Sequence, residues 1–229
     1  MTIDEIKKRI VYEDNHLLAF DKPSGTLVQP NQEGEEALEV VLKDFIKHRD
    51  AKPGNVFLGV IHRLDRPVSG LVVFAKTSKS LARMNELFKS REIEKTYCAL
   101  VKNKPPHSDG IIESFLIKES SKNITKSYNK EIKGSKPAKT YYELLGNSDS
   151  YFLLKVIPYT GRHHQIRVHL AKIGCPISGD LKYGSARSNK DGSISLHSKS
   201  LKFIHPIKNE IVLIDCPLPE SGLWKFFKE

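Results

Sequence analysis

Residues 62–77 read HRLDRPVSGLVVFAKT. Four of the first five positions are polar or charged: His62, Arg63, Asp65 and Arg66. Pro67, Ser69 and Gly70 supply a turn, and the run from Leu71 to Ala75, with β-branched Val72 and Val73, has the make-up of a buried strand. A second apolar run, Phe57 to Ile61, precedes the block. The pattern therefore sets a carboxylate with cationic neighbours on a short loop between two core strands, where a rigid scaffold can present a reactive group. An ordinary charged turn, with Asp65 paired to Arg63 or Arg66, fits the same residues.

The chain around this block is 229 residues long, 39% hydrophobic and 28% charged, which is enough to bury a substantial core. Thirty-seven basic against 27 acidic side chains leave a net charge of +10, which favours a polyanionic partner. Cys98, Cys175 and Cys216 are odd in number, widely spaced and without a C-x-x-C pair. They are expected as buried thiols, not as a disulfide framework or zinc site. The first residues, MTIDEIKKRIVYED, lack the apolar core of a signal peptide. No apolar run approaches the roughly 18 residues of a membrane helix. A cytoplasmic protein without a membrane partner is expected.

Along the chain, residues 1–9 read as a polar lead, followed by strands at Ile10–Tyr12 and Leu17–Phe20. Pro23 and Gly25 then force a loop reaching about Gly34. Leu38, Val41, Leu42 and Phe45 give residues 35–48 helical spacing. A second helix is expected to Ser90, with Ser78 as N-cap and Leu81, Met84, Leu87 and Phe88 as its buried face. Strands follow at Ile93–Val101, Ile111–Ile117, Lys139–Leu145, Tyr151–Ile157, Ser195–Phe203 and Glu210–Ile214. A short C-terminal helix at Glu220–Phe227 is anchored by Trp224 and Phe227. Residues 118–139 hold seven lysines; they suit either a solvated loop or hairpin, or a basic finger on RNA backbone.

The second block rich in functional residue types is TGRHHQIRVHL, residues 160–170. After Gly161 it reads as a helix with Ile166, Leu170 and Ile173 on one face, and Arg167 sharing a face with His163 and His164. The alternatives are a basic surface helix or a metal site on His163, His164 and His169. The spacing argues against metal, because His164 and His169 are five apart and no acidic ligand joins them on the helix.

Taken in order, the motifs resemble those of the RluA family of pseudouridine synthases. Lys22-Pro23 and Gly25 match KP-x-G; His62 to Asp65 with Ser69-Gly70 match HRLD-x-x-[ST]-SG; Lys95-Thr96-Tyr97 match K-x-Y. Residues 160–169 match TGR-x-HQIR-x-H, and residues 174–184 match G-x-P-I-x-GD-x-x-Y-G. Two positions depart, Val68 and His163, where the family usually has Thr. The resemblance implies that Asp65 is the catalytic carboxylate, Tyr97 the active-site tyrosine and Arg167 the arginine paired with Asp65. Arg162 and His164 would lie beside the cleft. With Lys22, as a phosphate-facing or loop-stabilising cation, Arg63 and Arg66, they make up the expected RNA-binding set. Asp180 and Tyr183 are expected to be structural.

The fold implied is α+β, a largely antiparallel mixed sheet with flanking helices and a central cleft. It forms a single catalytic domain over residues 1–229 without a separate N-terminal RNA-binding domain. The activity implied is isomerisation of specific uridines in structured RNA, transfer or ribosomal, with no metal and no cofactor, nucleotide or otherwise; a monomer is the default expectation, since the sequence does not encode the oligomeric state legibly. A non-catalytic RNA-binding protein on the same fold and a metal-dependent phosphoesterase are the competing readings.

Overall fold

A computed structural model describes residues 1–31 and 33–227. The chain forms two compact units: Met1–Ile93 with Ser200–Pro217, and Glu94–Lys199 with the segment from Leu218 onward.

In the first unit, Ile3–Arg9 form a helix, α1, where a polar lead over residues 1–9 was expected. Only Ile6 is buried; the signal in sequence was brief, Ile3, Ile6 and Ile10 at spacings of three and four after a Thr2…Glu5 capping pair. A capping box holds its start: Glu5 N–H donates to Thr2 Oγ1 at 3.2 Å, and Thr2 N–H donates to the Glu5 carboxylate at 2.7 Å. Strands β1 (Ile10–Glu13) and β2 (Leu17–Lys22) form an antiparallel hairpin. Its turn is fixed by Asp14 Oδ1, which accepts from the N–H groups of His16 and Leu17. After helix α2 (Leu38–Arg49) comes β3, only Gly59–Val60, and then β4 (Ser69–Ala75). Strands β2 and β4 pair antiparallel from Leu17↔Ala75 to Lys22↔Gly70.

Both faces of this pair are covered, which is why the strands read as nearly continuous apolar runs. Leu17, Ala19, Leu71, Val73 and Ala75 pack with Met84 of helix α3 (Ser78–Ser90). Leu18, Phe20, Val72 and Phe74 pack with Leu38, Leu42 and Phe45 of α2. The expected Phe57–Ile61 strand is cut to two residues because Phe57 is solvent-exposed and only Gly59–Val60 pair with β4. A Cβ on Gly59 would meet Leu81 Cδ2 at 2.7 Å, so the Leu81 side chain of α3 packs directly over the β3 backbone. The N-cap of α3 is Thr77 and not Ser78; Thr77 Oγ1 accepts from Ser80 N–H at 3.1 Å.

The second unit is built on an antiparallel run of five strands. Its strands are β5 (Glu94–Val101), β6 (Asp109–Glu119), β7 (Ile124–Tyr128), β8 (Lys136–Asn147) and β9 (Phe152–Pro158). They lie in the order β5-β9-β8-β6-β7. The lysine-rich stretch 118–139 is an ordered part of it: the end of β6, a 3-10 turn at Ser120–Lys122, all of β7 and the start of β8. Helix α4 (Gln165–Lys172) packs Val168 against Leu116, Ala138 and Tyr183. A separate cluster joins Cys98, Leu100 and Leu153 to Trp224 of the C-terminal 3-10 helix Gly222–Phe227, where Phe227 also packs. Strand β10 (Leu196–Ile204) follows, and its Ser200–Ile204 part pairs antiparallel with β11 (Ile211–Asp215) in the first unit.

The architecture is α+β with antiparallel strand pairing in each unit, as expected. All three cysteines are buried, and none forms a disulfide. No helix among the described residues is long and apolar enough to cross a membrane. Trp224 is the sole tryptophan and is buried against the second unit's sheet. Trp224→Ala is expected to lower stability by about 3–5 kcal/mol, as read by urea denaturation followed by circular dichroism.

Candidate active site

The first unit carries Asp65 on the loop between β3 and β4. The loop is closed by Val68 N–H donating to the Asp65 carbonyl at 3.0 Å. The Arg66 carbonyl accepts twice, from Gly25 N–H at 2.8 Å and from Lys22 Nζ at 3.2 Å. Lys22 Nζ also donates to the carbonyls of Pro23 and Thr26, each at 3.0 Å. The Lys22-Pro23-Ser24-Gly25 turn and the Asp65 loop are therefore one hydrogen-bonded assembly. Gly25 adopts φ +83°, a left-handed conformation that glycine takes without the strain of a Cβ. From outside, Arg66 Nε donates to the Gly25 carbonyl at 3.0 Å, and its Nη1 pairs with Glu35 at 3.0 Å.

His62 fixes the other end of the loop. Val73 N–H of β4 donates to its Nε2 at 3.1 Å, so that nitrogen is bare and a neutral ring carries its proton on Nδ1. The ring stacks on Phe88 of α3, with centroids 5.0 Å apart. Val68 is buried, so the missing hydroxyl of the family's Thr leaves no polar atom to satisfy there.

The second unit holds Arg167. Its Nε and Nη2 donate to the two carboxylate oxygens of Asp180 at 2.7 and 2.8 Å, a bidentate pair with both partners buried. The Tyr183 ring lies against the guanidinium, 5.1 Å from centroid to Cζ. Asp180 follows Gly179, whose φ is +87° and where a Cβ would meet the Ser193 carbonyl oxygen at 2.6 Å. Only glycine can deliver Asp180 to this position.

Segment 160–164 is a turn, not the first part of a helix. Gln165 Oε1 accepts from Thr160 Oγ1 at 2.6 Å and from Arg162 N–H at 3.0 Å. Gln165 Nε2 donates to the Lys139 carbonyl at 3.0 Å and to Thr140 Oγ1 at 2.9 Å. His164 has φ +50°, and α4 begins only after it. The expected sharing of one helix face by His163, His164 and Arg167 is thus corrected. So is the expected apolar face: Gln165 to Leu170 are all buried.

Two members of the expected RNA-binding set are interior groups. Lys22 is fully buried, with its ammonium on three carbonyls of the two loops. His164 is buried, with Nδ1 2.8 Å from the Tyr183 hydroxyl and its ring stacked on His163 at 3.7 Å. Arg63 and Arg66 are exposed, and Arg162 is half-exposed, with Nε donating to the Pro137 carbonyl at 3.2 Å. Asp65 is half-buried in the first unit, and Tyr97 is half-buried on β5 in the second, opposite Val156. His169, once a candidate ligand, has Nδ1 2.8 Å from Thr140 Oγ1 and Nε2 2.9 Å from Ser114 Oγ. Asp180, expected to be structural, is the anchor of Arg167. The glycine at 179 was the available hint to its importance.

These loops carry motifs that are matched elsewhere. A family model described as RNA pseudouridylate synthase covers residues 16–172. A ribosomal large subunit pseudouridine synthase C of Buchnera aphidicola subsp. Acyrthosiphon pisum (strain APS) is 37% identical over 217 residues, spanning 92% of this chain and 67% of that protein. A tRNA pseudouridine synthase C of Pectobacterium carotovorum subsp. carotovorum is 33% identical over 233 residues, spanning 94% of this chain and 58% of that one. In fold, the chain superposes on Human RNA Pseudouridylate Synthase Domain Containing 4 with a TM-score of 0.79 at 24% identity, over 95% of this chain and 91% of that one. The chain belongs to the RluA-type RNA pseudouridylate synthases, isomerases that act on uridine in RNA.

Burial lowers the Lys22 pKa to about 7, opposed by the charges of Asp65 and Asp21 and reinforced by Arg66. Lys22→Met should strip the Arg66 carbonyl of one donor and loosen the Asp65 loop. A fall of about tenfold or more in kcat at near-normal RNA affinity is expected from steady-state kinetics and filter binding. Burial first, and Lys172 second, lower the His169 pKa to about 4. The folded state then resists a proton that the unfolded chain accepts from about pH 6.5 downward. This contribution is fully present above pH 6.5 and is lost as the pH falls toward 4. Urea midpoints measured between pH 7 and 4 should fall more steeply for the native protein than for His169→Asn.

Proposed function

We propose that Asp65 is the catalytic carboxylate for isomerisation of a specific uridine in a structured ribosomal or transfer RNA, with Arg167 as its cationic partner and Tyr97 beside the reacting base. What carries the reading is the fixed HRLD loop of a family member, with the Arg66 carbonyl beside Asp65 held by two donors. It is further supported by the KP-x-G, K-x-Y and HQIR segments following in the family's order, and by relatives named for ribosomal and transfer RNA.

In the reaction the bond between C1′ and N1 of the uridine breaks. The uracil turns, and C5 bonds to C1′. The proton that leaves C5 is matched by one gained at N1, so nothing is oxidised and no group is transferred from outside. That balance requires no nucleotide cofactor. Asp65, as a carboxylate, acts as nucleophile or as base at the sugar. A guanidinium in hydrogen-bonding reach would orient it. The target base has to leave its stack at a cost of a few kcal/mol, offset by phosphate contacts of a chain with net charge +10. Exposed Arg63 and Arg66, with Arg162, are the cations of the motif loops assigned to those contacts. The Tyr97 ring can stack on the extruded base, and its hydroxyl can take part in proton transfer.

Asp65→Ala and Asp65→Asn are expected to abolish pseudouridine formation while RNA affinity stays within about tenfold; an active Asp65→Asn protein would remove the carboxylate from the mechanism. Arg167→Met should lose activity and also about 3–5 kcal/mol of stability in urea unfolding, because Asp180 is left buried without its cation. Mapping pseudouridine in total RNA with and without the gene would identify the RNA through the site that disappears.

A further inference from the structure

The lysine-rich arm is joined to the surroundings of Arg167 through one buried residue of β7, Thr125. Its backbone N–H donates to the Tyr183 hydroxyl at 2.7 Å. Its own hydroxyl donates to the His163 carbonyl at 2.9 Å, and His163 Nδ1 lies 2.8 Å from the same oxygen. With the Thr125 proton on the carbonyl, His163 Nδ1 is the donor of that second contact. The Tyr183 hydroxyl, having accepted from Thr125, can pass its own proton into a bond with His164 Nδ1. The His163 and His164 rings stack, so both connections end on the turn that starts α4. Close by, Lys182 Nζ donates to the Asn123 carbonyl at 3.3 Å. Tyr183 is thus held by the arm at its hydroxyl, while its ring lies against the Arg167 guanidinium.

The arm itself is suited to a polyanion. Lys118, Lys122, Lys126, Lys130, Lys133 and Lys136 are all exposed. Glu119 neutralises Lys122 and Lys126 in part; Lys118, Lys130, Lys133 and Lys136 form no ion pair among the described residues. A displacement of β7 of a few tenths of an ångström would have to be taken up by Tyr183 or by the 163–164 turn. Both adjoin the guanidinium or its helix.

We propose that Thr125 and Tyr183 are positioning residues that couple RNA held by the lysine-rich arm to the orientation of Arg167. This rests on the assignment of Arg167 as partner of the catalytic carboxylate. It adds that chemistry, and not only affinity, depends on the arm being engaged. Phosphates on the arm fix β7, β7 fixes Tyr183, and Tyr183 with Asp180 fixes the guanidinium plane.

The test compares kcat at saturating RNA, KM and the urea midpoint for Thr125→Val, Tyr183→Phe, their double variant and Thr125→Ser. It adds a Lys130→Gln/Lys133→Gln/Lys136→Gln arm variant in the native and Thr125→Val/Tyr183→Phe backgrounds. Thr125→Val removes the hydroxyl link to His163 and leaves the backbone N–H, whereas Tyr183→Phe removes the acceptor of that N–H. Each single substitution should lower kcat about tenfold with KM little changed; the double variant, which cuts both links, should lose at least as much as either alone, and Thr125→Ser should recover most of the Thr125→Val loss. The arm variant should lower kcat as well as raise KM in the native background, but only raise KM in the double-variant background. The proposal is overturned if Thr125→Val loses stability with kcat unchanged, or if the arm variant alters KM alone in both backgrounds. Arg167→Lys is run in parallel. If it keeps native kcat, the role given to Arg167 is wrong. If it is impaired while Thr125→Val is not, only the coupling fails.

Discussion

A lysine ammonium is buried at the end of β2 with three carbonyl oxygens around it, and the geometry of the first unit's loops follows from it. Removing that charge from water is costly, and three acceptors with two nearby carboxylates, Asp65 and Asp21, offset the cost. The site forms only when segments 44 residues apart close on each other. Antiparallel pairing of β2 with β4 makes this possible, because Lys22 sits opposite Gly70 at the strand ends from which both loops spring. A half-formed version would leave a buried charge with too few partners. The assembly is therefore close to all-or-none, and the loop that bears Asp65 is correspondingly rigid.

The second unit solves a similar problem with an ion pair. Arg167 lies on a helix whose first six residues are all buried, and the bidentate bond to Asp180 satisfies it there. Such a pair contributes little net stability once desolvation is counted, but it restricts the guanidinium to one plane. Gln165 and His169 complete the pattern. Each spends its side-chain hydrogen bonds on neighbours within the unit, from Thr160 and Thr140 to Ser114. The interior around α4 is a connected polar network, and such networks fix orientation more than they add stability.

Both arrangements suit an RNA isomerase. Moving uracil from an N-glycosidic to a C-glycosidic bond brings in no reagent, so the protein's contribution is to hold charged and aromatic groups still while a base is extruded and turned. Groups fixed before substrate arrives need no reorganisation during reaction.

The sequence by itself determined most strands of both units and the long helices of the first, because the strands read as apolar runs or alternations and the helices carry apolar residues at a spacing of about 3.6. Burial of Leu17, Ala19, Leu71 and Val73 against one layer and of Leu18, Phe20, Val72 and Phe74 against another is the physical source of the continuous runs. Motif order also made the family legible, and with it the residues to examine. Tertiary structure alone decided what local patterns do not encode. Helix α1 buries a single residue, and its periodic trace is only Ile3, Ile6 and Ile10 among charged residues. Helix α4 is short and buried all round, so its start depends on the hydrogen bonds of Gln165 and not on amphipathicity. Lys22 and His164 look like surface cations in sequence and lie inside because distant acceptors, the Arg66 carbonyl and the Tyr183 hydroxyl, await them. The partnership of Arg167 with Asp180 and the position of Thr125 depend on contacts between segments 13 to 58 residues apart. Hydrogen-bond partners are set by proximity in space, and proximity exists only once the sheets have formed.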